Sequence, residues 1–553
     1  MNQALSLSVI RELVLLSGVE EFVVCPGARN SPLVTLLLEI HELKKFHFFE
    51  ERSAAFFALG RIQSSGLPVA VVTTSGTAAG ELLPATMEAY YSSLPLILIT
   101  ADRPRRFRGT GAPQSCEQVG IYSSYVERSW DFSKEDRKGL LEEFSEFVST
   151  WDLTRPIHVN ICFEEPLLSR GDSVSQTTLP SFLTEMALAR TAPTTRRLKP
   201  LPRPEVVGIL QQFLNRTKNP LVVVGALEKS DQKPVFDFIR RLGAPVYFEA
   251  QSGLREDPEL QRFRICMSEK ILDRAEATGY PIDGVLRIGS VPTLRLWRDL
   301  EVLGGIIPVM SVTSRPFSGL SFAPVLQGEI APLIGEVAVQ NPRTHSRDFI
   351  SADQMLAHQL AHLLREFPSS EASYFHALSE GIPEGSLVYV GNSLPIREWD
   401  LAATSLKKNL QVRASRGLNG IDGQLSTFLG MCEPIRENWA IVGDLTAMYD
   451  LSGPWALREL DSGTKTRLVV VNNQGGQIFS RMFPQKEFTN PHSISFEKWA
   501  QFWNLDYVKW TTPPTPQDWQ SLDSLEKLVL EVQPDAGQTA AFWKNHELLW
   551  KRK

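Results

Sequence analysis

The residues best placed to do chemistry in this 553-residue chain are a carboxylate and an amide that close two successive apolar runs. Gly443-Asp444 follows the run 440–442, and Asn472-Asn473-Gln474-Gly475-Gly476 follows the run 468–471, with a helix-length segment between them. In a parallel sheet that spacing sets the two side chains at neighbouring strand ends. A carboxylate, an amide oxygen and a glycine carbonyl form a hard-oxygen set suited to Mg²⁺, which takes few protein ligands and completes its shell with phosphate and water. Gly475 lets the backbone approach an ion, and a helix beginning after the glycines offers N–H groups to phosphate. Each piece alone has a plainer reading, an N-cap Asp and an Asn-Gly turn. Their joint placement points to an ion and phosphate site. A second candidate is Glu51, in Phe48-Phe49-Glu50-Glu51-Arg52. A carboxyl among apolar residues at a strand end has its pKa raised by burial. The plainer alternative is a first-turn acid favoured by the helix dipole, which also accounts for Glu50.

These residues need strands to hold them. Short β-branched runs alternate with helical stretches along the whole chain, the pattern of parallel sheets covered on both faces. In the first block a helix over 3–17 stops at Gly18, and strands are expected at 22–24, 46–49, 69–74 and 96–100. Helices follow, one capped by Ser31 with Pro32 in its first turn and one running from about 52 to 64. Residues 171–204, with Arg196, Arg197 and Lys199, read as an irregular linker containing one helical turn. A second block has strand candidates at 221–224, 246–248, 285–288 and 306–309, and residues 340–350 read as another connection. The third block starts near Ser351 with a helix to 366, then strands at 388–390, 411–413, 440–442, 468–471 and 528–532. No short-period repeat is visible, and counting leaves open whether the first and third blocks share a topology. Ligands in such folds sit at the carboxyl ends of the strands, where residues 25–30, 50–52, 75–77 and 102–103 all fall.

Lys and Arg total 57 against 63 Asp and Glu, a formal net charge of −6. No strong positive field exists to hold nucleic acid or an anionic membrane, so arginines for anionic ligands must be placed locally. The five cysteines (Cys25, Cys116, Cys162, Cys266 and Cys432) form no CxxC pair. Neither a zinc site nor a disulfide framework is indicated, and a reducing compartment fits. His358 and His362 lack the further ligands a zinc site needs. The apolar stretch 13–16 is too short for a signal peptide, and no apolar run has the length of a membrane span. A cytoplasmic protein is the expectation.

With Glu51 in the first block and Gly443-Asp444 and Asn472-Asn473 in the third, the chain resembles the thiamine diphosphate (ThDP) enzymes. Further stretches sharpen the resemblance: Cys25-Pro26-Gly27-Ala28-Arg29-Asn30-Ser31-Pro32-Leu33, Thr74-Ser75-Gly76-Thr77, Asp102-Arg103-Pro104, Gly391-Asn392-Ser393-Leu394-Pro395-Ile396-Arg397 and Arg416-Gly417-Leu418-Asn419-Gly420-Ile421-Asp422-Gly423. Together they resemble the MenD family, the 2-succinyl-5-enolpyruvyl-6-hydroxy-3-cyclohexene-1-carboxylate synthases of menaquinone biosynthesis.

The resemblance implies three doubly wound α/β domains with parallel sheets. These would be a pyrimidine-binding domain over 1–175, a central Rossmann-like domain over 200–345 and a diphosphate-binding domain over 351–553. It implies thiamine diphosphate and Mg²⁺, with Mn²⁺ as an alternative, and metal ligands Asp444, Asn473 and the Gly475 carbonyl. Glu51 would hydrogen-bond the aminopyrimidine ring and drive its acid–base relay. Ser75, Gly76, Gly443, Ile478 and Phe479 would contact the cofactor, and Ile421 would prop its bent shape. The implied reaction decarboxylates 2-oxoglutarate and adds the resulting carbanion to isochorismate. Both substrates are dianions, and guanidinium grips carboxylate bidentately. Arg29, Arg103, Arg295, Arg397 and Arg416 would bind them, with Gln114 and Ser393. A homodimer or homotetramer with active sites shared between subunits follows by the same resemblance. No His-His pair occurs, which fits a carbanion that adds to carbon rather than to a proton.

Four positions depart from the family pattern. Ala28 stands where Ser is usual, Pro113 where Asn precedes the Gln, Thr446 where Ser is common, and a single Arg295 follows Gly289-Ser290 where two adjacent basic residues are usual. These touch substrate contacts more than cofactor contacts. Two alternatives stay open: another ThDP-dependent 2-oxo-acid decarboxylase or carboligase, and a non-catalytic binding protein of this fold. Glu51 argues against the second, because passive diphosphate binding has no use for that carboxyl.

Overall fold

Each apolar run becomes a strand because its β-branched side chains pack on both faces of a sheet. The structure is a computed structural model that describes residues 2–136, 139–168, 178–191, 204–339, 345–404, 409–483 and 485–550. Its strands form three six-stranded sheets, and every pairing in them is parallel. The first holds β1 (Glu21–Val24), β2 (Lys44–His47), β3 (Val69–Thr73), β4 (Leu96–Asp102), β5 (Ser129–Phe132) and β6 (Ile157–Cys162), in the order β2-β1-β3-β4-β6-β5. The second holds β7 (Pro220–Val224), β8 (Val246–Phe248), β9 (Arg264–Ile265), β10 (Gly284–Ile288), β11 (Val309–Thr313) and β12 (Val325–Gln327), in the order β12-β11-β10-β7-β8-β9. The third holds β13 (Leu387–Val390), β14 (Gln411–Arg413), β15 (Asn438–Gly443), β16 (Thr466–Val471), β17 (Asp506–Trp510) and β18 (Lys527–Val532), in the order β14-β13-β15-β16-β18-β17. The first and third sheets therefore share one strand order, while the second has the order of dinucleotide-binding folds.

The chain gathers into two compact units, one of Met1–Leu198, Ser415–Glu433 and Met448–Ser462, the other of Lys199–Ala414, Pro434–Ala447 and Gly463–Lys553. In the first unit, Phe22, Leu36, Ile97, Ile99, Trp130 and Trp151 are among the side chains of a core on one face of the first sheet. The helix Glu51–Ser65 packs on the helix Gln424–Met431 with backbones almost touching. A Cβ at Gly60 would stand 2.0 Å from the Thr427 carbonyl oxygen, and one at Gly430 2.2 Å from that of Phe57. In the second unit, Arg255 reaches the carboxyl end of the helix Leu394–Ala402, donating to the carbonyls of Asp400 at 3.2 Å and Ala403 at 3.0 Å. The Ala250 N–H donates to the Asp400 carboxylate at 2.8 Å. A buried guanidinium thus satisfies carbonyls that the helix end leaves open.

Several expectations shift. The helix Ser31–Glu39 is capped by Asn30, and Ser31 is its first residue. Asn30 accepts from Gly27 N at 2.8 Å and donates to the Cys25 carbonyl at 2.9 Å, so it braces the turn and not the helix. The strand expected at 46–49 is β2, which ends before Glu50 begins capping the next helix. The strand expected at 306–309 starts only at Val309, because Gly304 and Gly305 turn the chain at positive φ and leave Ile306 exposed. Within 171–204 stands a 14-residue helix, Thr178–Thr191, in place of a single turn. Phe182 and Met186, one turn apart on it, enter the first core. Arg196, Arg197 and Lys199 lie outside the described residues, as do 340–344 of the second connection. The helix expected from Ser351 begins at Arg347. Strands β5, β6, β9, β12 and β17 were not anticipated.

Candidate active site

The first unit presents its polar side chains at strand ends. After β1, Arg29 is buried, donates to the Phe163 carbonyl at 3.1 Å and pairs with Glu165 at 3.0 Å. After β2, Glu50 caps the helix Glu51–Ser65, accepting from Arg52 N and Ser53 N at 3.1 Å each and from Ser452 Oγ at 2.9 Å. The capping role thus belongs to Glu50 and leaves Glu51 for other work. Burial raises the Glu51 carboxyl, its own backbone N–H opposes this, and Glu50 and Glu81 push it further up. Phe48 is buried against Phe57, ring centroids 5.0 Å apart. Phe49, expected to keep this acid dry as well, is 58 % exposed and packs on Trp455.

After β3, Gly76 takes φ +86 to enter a short helix, and a Cβ there would meet Gln114 Cα at 3.3 Å. Ser75 Oγ beside it is buried without a hydrogen-bond partner. After β4, the Arg103 N–H donates to Asp102 at 2.7 Å, and Arg103 Nε is likewise buried and unpartnered. The Arg416 loop is braced by Glu88, whose carboxylate accepts from Gly417 N and Leu418 N at 2.7 Å each. Ile421 lies two residues before Gly423, where an added Cβ would stand 2.0 Å from the Phe56 ring. That turn is therefore pressed onto the helix that Glu51 heads.

The second unit brings the proposed ion ligands together. Gly443 ends β15 opposite Val471 of β16, so Asp444 and Asn473 emerge side by side. Asp444 accepts from Leu445 N at 2.6 Å and Gly475 N at 2.9 Å, and His492 Nε2 lies 3.2 Å from its Oδ2. Asn473 donates from Nδ2 to both oxygens of Glu371 at 3.0 Å. That fixes the amide's orientation, and its Oδ1 is left buried with no partner. Gly475 stands at φ +137, and a Cβ there would come within 2.3 Å of the Thr489 carbonyl oxygen. Only glycine fits this cradle. An orphaned amide oxygen, a buried carboxylate and a glycine backbone are what a small hard cation bound through few protein ligands requires. Among the described residues no group of three or more His, Cys, Asp and Glu could hold an ion.

Buried acid surrounds these ligands. Burial raises Asp444 above the ordinary carboxylate range, against the pull of the Gly475 and Leu445 N–H groups and His492. Burial and the nearby Asp444 push Glu371 up to about 7 against its bond to Asn473. Glu398 is raised well above the usual range by burial and by Glu371, and both its oxygens lack hydrogen-bond partners. Uncompensated buried carboxyls are costly, so positive charge is favoured here.

Ser393 caps the helix Leu394–Ala402 at φ +71, a strained angle for a residue with a Cβ. Arg397, exposed, donates back to the Ser393 carbonyl at 2.5 Å. Ile478 and Phe479 form the turn just past Gly476, and Phe479 is 40 % exposed. Arg295 stands apart from these groups in its contacts: it is exposed at the head of a helix that buries Leu296, Trp297 and Leu300, and it pairs with Asp299 at 3.5 Å. Glu371, Glu398 and His492 had no sequence signal, because their roles arise from elements distant along the chain.

Residues 8–121 match the family described as "Thiamine pyrophosphate enzyme, N-terminal TPP binding domain". The 2-succinyl-5-enolpyruvyl-6-hydroxy-3-cyclohexene-1-carboxylate synthase of Bdellovibrio bacteriovorus is 46% identical, over 100% of this chain and 99% of its own. The synthase of the same name from Akkermansia muciniphila is 37% identical over 95% of each chain. The X-ray structure of a protein from Mycobacterium smegmatis, assigned as a thiamin diphosphate-dependent enzyme, superposes with a TM-score of 0.67. It covers 96% of this chain and 99% of its own at 14% identity, a likeness of fold. With strand order and whole-length identity in agreement, the chain belongs to the 2-succinyl-5-enolpyruvyl-6-hydroxy-3-cyclohexene-1-carboxylate synthase family of thiamine diphosphate enzymes.

Proposed function

We propose that this enzyme decarboxylates 2-oxoglutarate and adds the resulting carbanion to isochorismate, giving 2-succinyl-5-enolpyruvyl-6-hydroxy-3-cyclohexene-1-carboxylate and CO₂. The observation that carries the reading is the unpartnered Asn473 Oδ1 beside Asp444 and Gly475. In this reading Asp444, Asn473 and the Gly475 carbonyl hold Mg²⁺, with Mn²⁺ as an alternative, and Gly443 lets the diphosphate approach. When bound, thiamine diphosphate supplies the electron sink that makes loss of CO₂ from a 2-oxo acid feasible. Glu51 holds and passes a proton at the pyrimidine ring, and its raised pKa keeps it protonated at higher pH than a free Glu. Ser75 and Gly76 bind the same ring, Ile421 orients the cofactor, and Ile478 and Phe479 exclude water. Arg29, Arg103, Arg397 and Arg416, with Gln114 and Ser393, take the substrate carboxylates. Arg295 would have to leave Asp299 to join them.

The reading includes a pyrimidine-binding domain over 1–175, a central domain over 200–345 and a diphosphate-binding domain over 351–553. It also includes a cytoplasmic homodimer or homotetramer whose subunits share active sites. The exposed Phe479, Met482, Phe483 and Phe488 beside Gly475 support an interface there. Among the described residues no helix is long and apolar enough to cross a membrane. The test is turnover with ThDP, Mg²⁺, 2-oxoglutarate and isochorismate, following isochorismate loss and the adduct mass. Glu51→Gln should lower the rate by about 10²–10⁴-fold, the range of general acid–base catalysis. Steady CO₂ release without an adduct would remove isochorismate as the acceptor, and bound cofactor with no reaction would leave only a binding protein.

A further inference from the structure

Beneath the strand ends of the first sheet runs a buried polar chain that the reaction scheme leaves unused. It begins at the Gly76 N–H, which donates to Gln118 Oε1 at 2.8 Å. Gln118 Nε2 donates to the Ala101 carbonyl at 3.1 Å and to Asn160 Oδ1 at 2.9 Å. Asn160 Nδ2 donates to Asp102 Oδ2 at 3.1 Å and to Asp131 Oδ1 at 2.8 Å. Asp102 Oδ1 in turn accepts from the Arg103 N–H at 2.7 Å. Thr100 Oγ completes the set, donating to Asn160 Oδ1 at 2.8 Å. Gln118, Asn160 and Asp102 are each 0 % exposed.

An amide has two donors and an acceptor oxygen with two lone pairs, and Asn160 uses them all. No other side chain can do this at that point. Asp would set a third carboxylate against Asp102 and Asp131, and an aliphatic residue would strip one hydrogen bond from each of Gln118, Thr100, Asp102 and Asp131. The chain also joins, through side chains, the loops that follow β3 and β4. One loop carries Gly76 and the orphaned Ser75 Oγ, and the other carries the orphaned Arg103 Nε. Both orphans lie at strand ends.

We infer that Asn160, acting through Gln118 and Asp102, is a positioning residue that sets the Gly76 loop in register with the Arg103 loop, and so couples cofactor binding to binding of the substrate carboxylate. This rests on the functional reading above. That reading stands or falls on wild-type turnover, and the coupling on variants along this chain of hydrogen bonds.

Gln118→Leu cuts the chain between Gly76 and Asn160 while keeping bulk, and Asp102→Asn weakens its far end. For each, the ThDP dissociation constant is measured by tryptophan fluorescence, and KM for 2-oxoglutarate and kcat by turnover. Arg103→Lys is made in the wild-type, Gln118→Leu and Asp102→Asn backgrounds. The expected result is that Gln118→Leu weakens ThDP binding and raises KM together, each about tenfold, with a smaller change in kcat. The penalty of Arg103→Lys on KM should shrink several-fold in that background, because the arginine is already out of place. Asp102→Asn gives the same non-additivity if Gln118→Leu does not fold. A merely structural role would lower the melting temperature and the active fraction. It would leave KM, the ThDP constant and the Arg103→Lys penalty unchanged, and that result would overturn the inference.

Discussion

The first and third sheets are built on one strand order, and their sixth strands carry a buried hub at the same register position. In the first sheet Asn160 of β6 lies opposite Thr100 of β4, two residues before Asp102. In the third, Glu531 of β18 lies opposite Val470 of β16, two residues before Asn472. The pair is amide to carboxylate in one and carboxylate to amide in the other: Asn160 donates to Asp102 at 3.1 Å, and Asn472 donates to Glu531 at 3.0 Å. Glu531 also accepts from Phe496 N, Tyr507 Oη and Lys509 Nζ. Together these hold it below the usual carboxylate range although burial pushes the other way. Each hub fixes a strand-end loop, but the loops leave opposite atoms unsatisfied. In the first sheet they are a hydroxyl and a guanidinium N–H, Ser75 Oγ and Arg103 Nε. In the third it is the acceptor Asn473 Oδ1, and both oxygens of Glu398, on the helix Leu394–Ala402, are unsatisfied too. One topology thus leaves donors unsatisfied at one set of strand ends and an acceptor at the other, and on the proposed reading the first takes anions and the second a cation.

The sharpest way to break this contrast is to remove the open acceptors. Asp444→Ala or Asn473→Ala should abolish Mg²⁺-dependent cofactor binding. The expected drop in kcat/KM is about 10³-fold or more, the several kcal/mol that a lost metal contact represents. Calorimetric titration of ThDP with and without Mg²⁺ checks it. Unchanged Mg²⁺ dependence would move the ion elsewhere. Next comes Glu371→Gln. Glu371 holds Asn473 with its oxygen outward through two bonds of 3.0 Å. A glutamine can turn its own amide toward Asn473 and let that side chain flip. Loss of such an orienting partner costs about 10–100-fold in metal affinity, read from the Mg²⁺ concentration at half-maximal activity.

A third prediction concerns the frame and not the chemistry. Gly60→Ala places a methyl 2.0 Å from the Thr427 carbonyl oxygen, a backbone atom that cannot swing aside. The helix headed by Glu51 must then move off the helix Gln424–Met431, at about 1–3 kcal/mol as in other overpacked cores. The denaturation midpoint should fall accordingly. A neutral result would mean that the two helices are held apart by something other than their glycines.

Much of this was legible in the sequence, and the unreadable part has physical causes. Strands such as β3, β4 and β16 announce themselves because every residue in them is buried. Asp444, Asn473 and Gly475 could be proposed from the sequence because local spacing sets them at two adjacent strand ends. By contrast β6 was missed, since His158 and Asn160 break its apolar run. Those two residues are polar because they serve a network assembled from β4, β5 and the segment bearing Gln118. Glu371 was invisible for the same reason: its partner Asn473 lies about a hundred residues away, and nothing beside it in sequence marks the pairing. Glu50 and Glu51 were separable only in the structure, where the first is consumed by capping. Phe49 shows the converse error, an apolar residue at the right place that faces outward.

The smallest predicted effect tests whether the first hub is as uncharged as its hydrogen bonds require. Thr100 donates its hydroxyl proton to Asn160, so His158 Nε2, 2.8 Å from the same oxygen, must be the donor to Thr100. His158 Nδ1 is left buried without a partner, beneath the edge-on ring of Tyr122. Burial pushes the His158 pKa down to about 3, only partly offset by Asp131. The folded protein therefore binds fewer protons than the unfolded chain at any pH between that value and the ordinary histidine pKa of about 6.5. Stability must fall as the pH falls through that window, by about 1 kcal/mol between roughly pH 6.5 and 5.5. His158→Gln keeps an amide donor for Thr100 and cannot titrate, so the difference between its denaturation midpoint and the wild type's should change by that amount over the same interval. Parallel curves would mean that His158 takes up a proton in the fold as readily as in the unfolded chain, and so places a cation two residues from Asn160 as the pH falls, where the third sheet keeps the apolar Val529 two residues from Glu531.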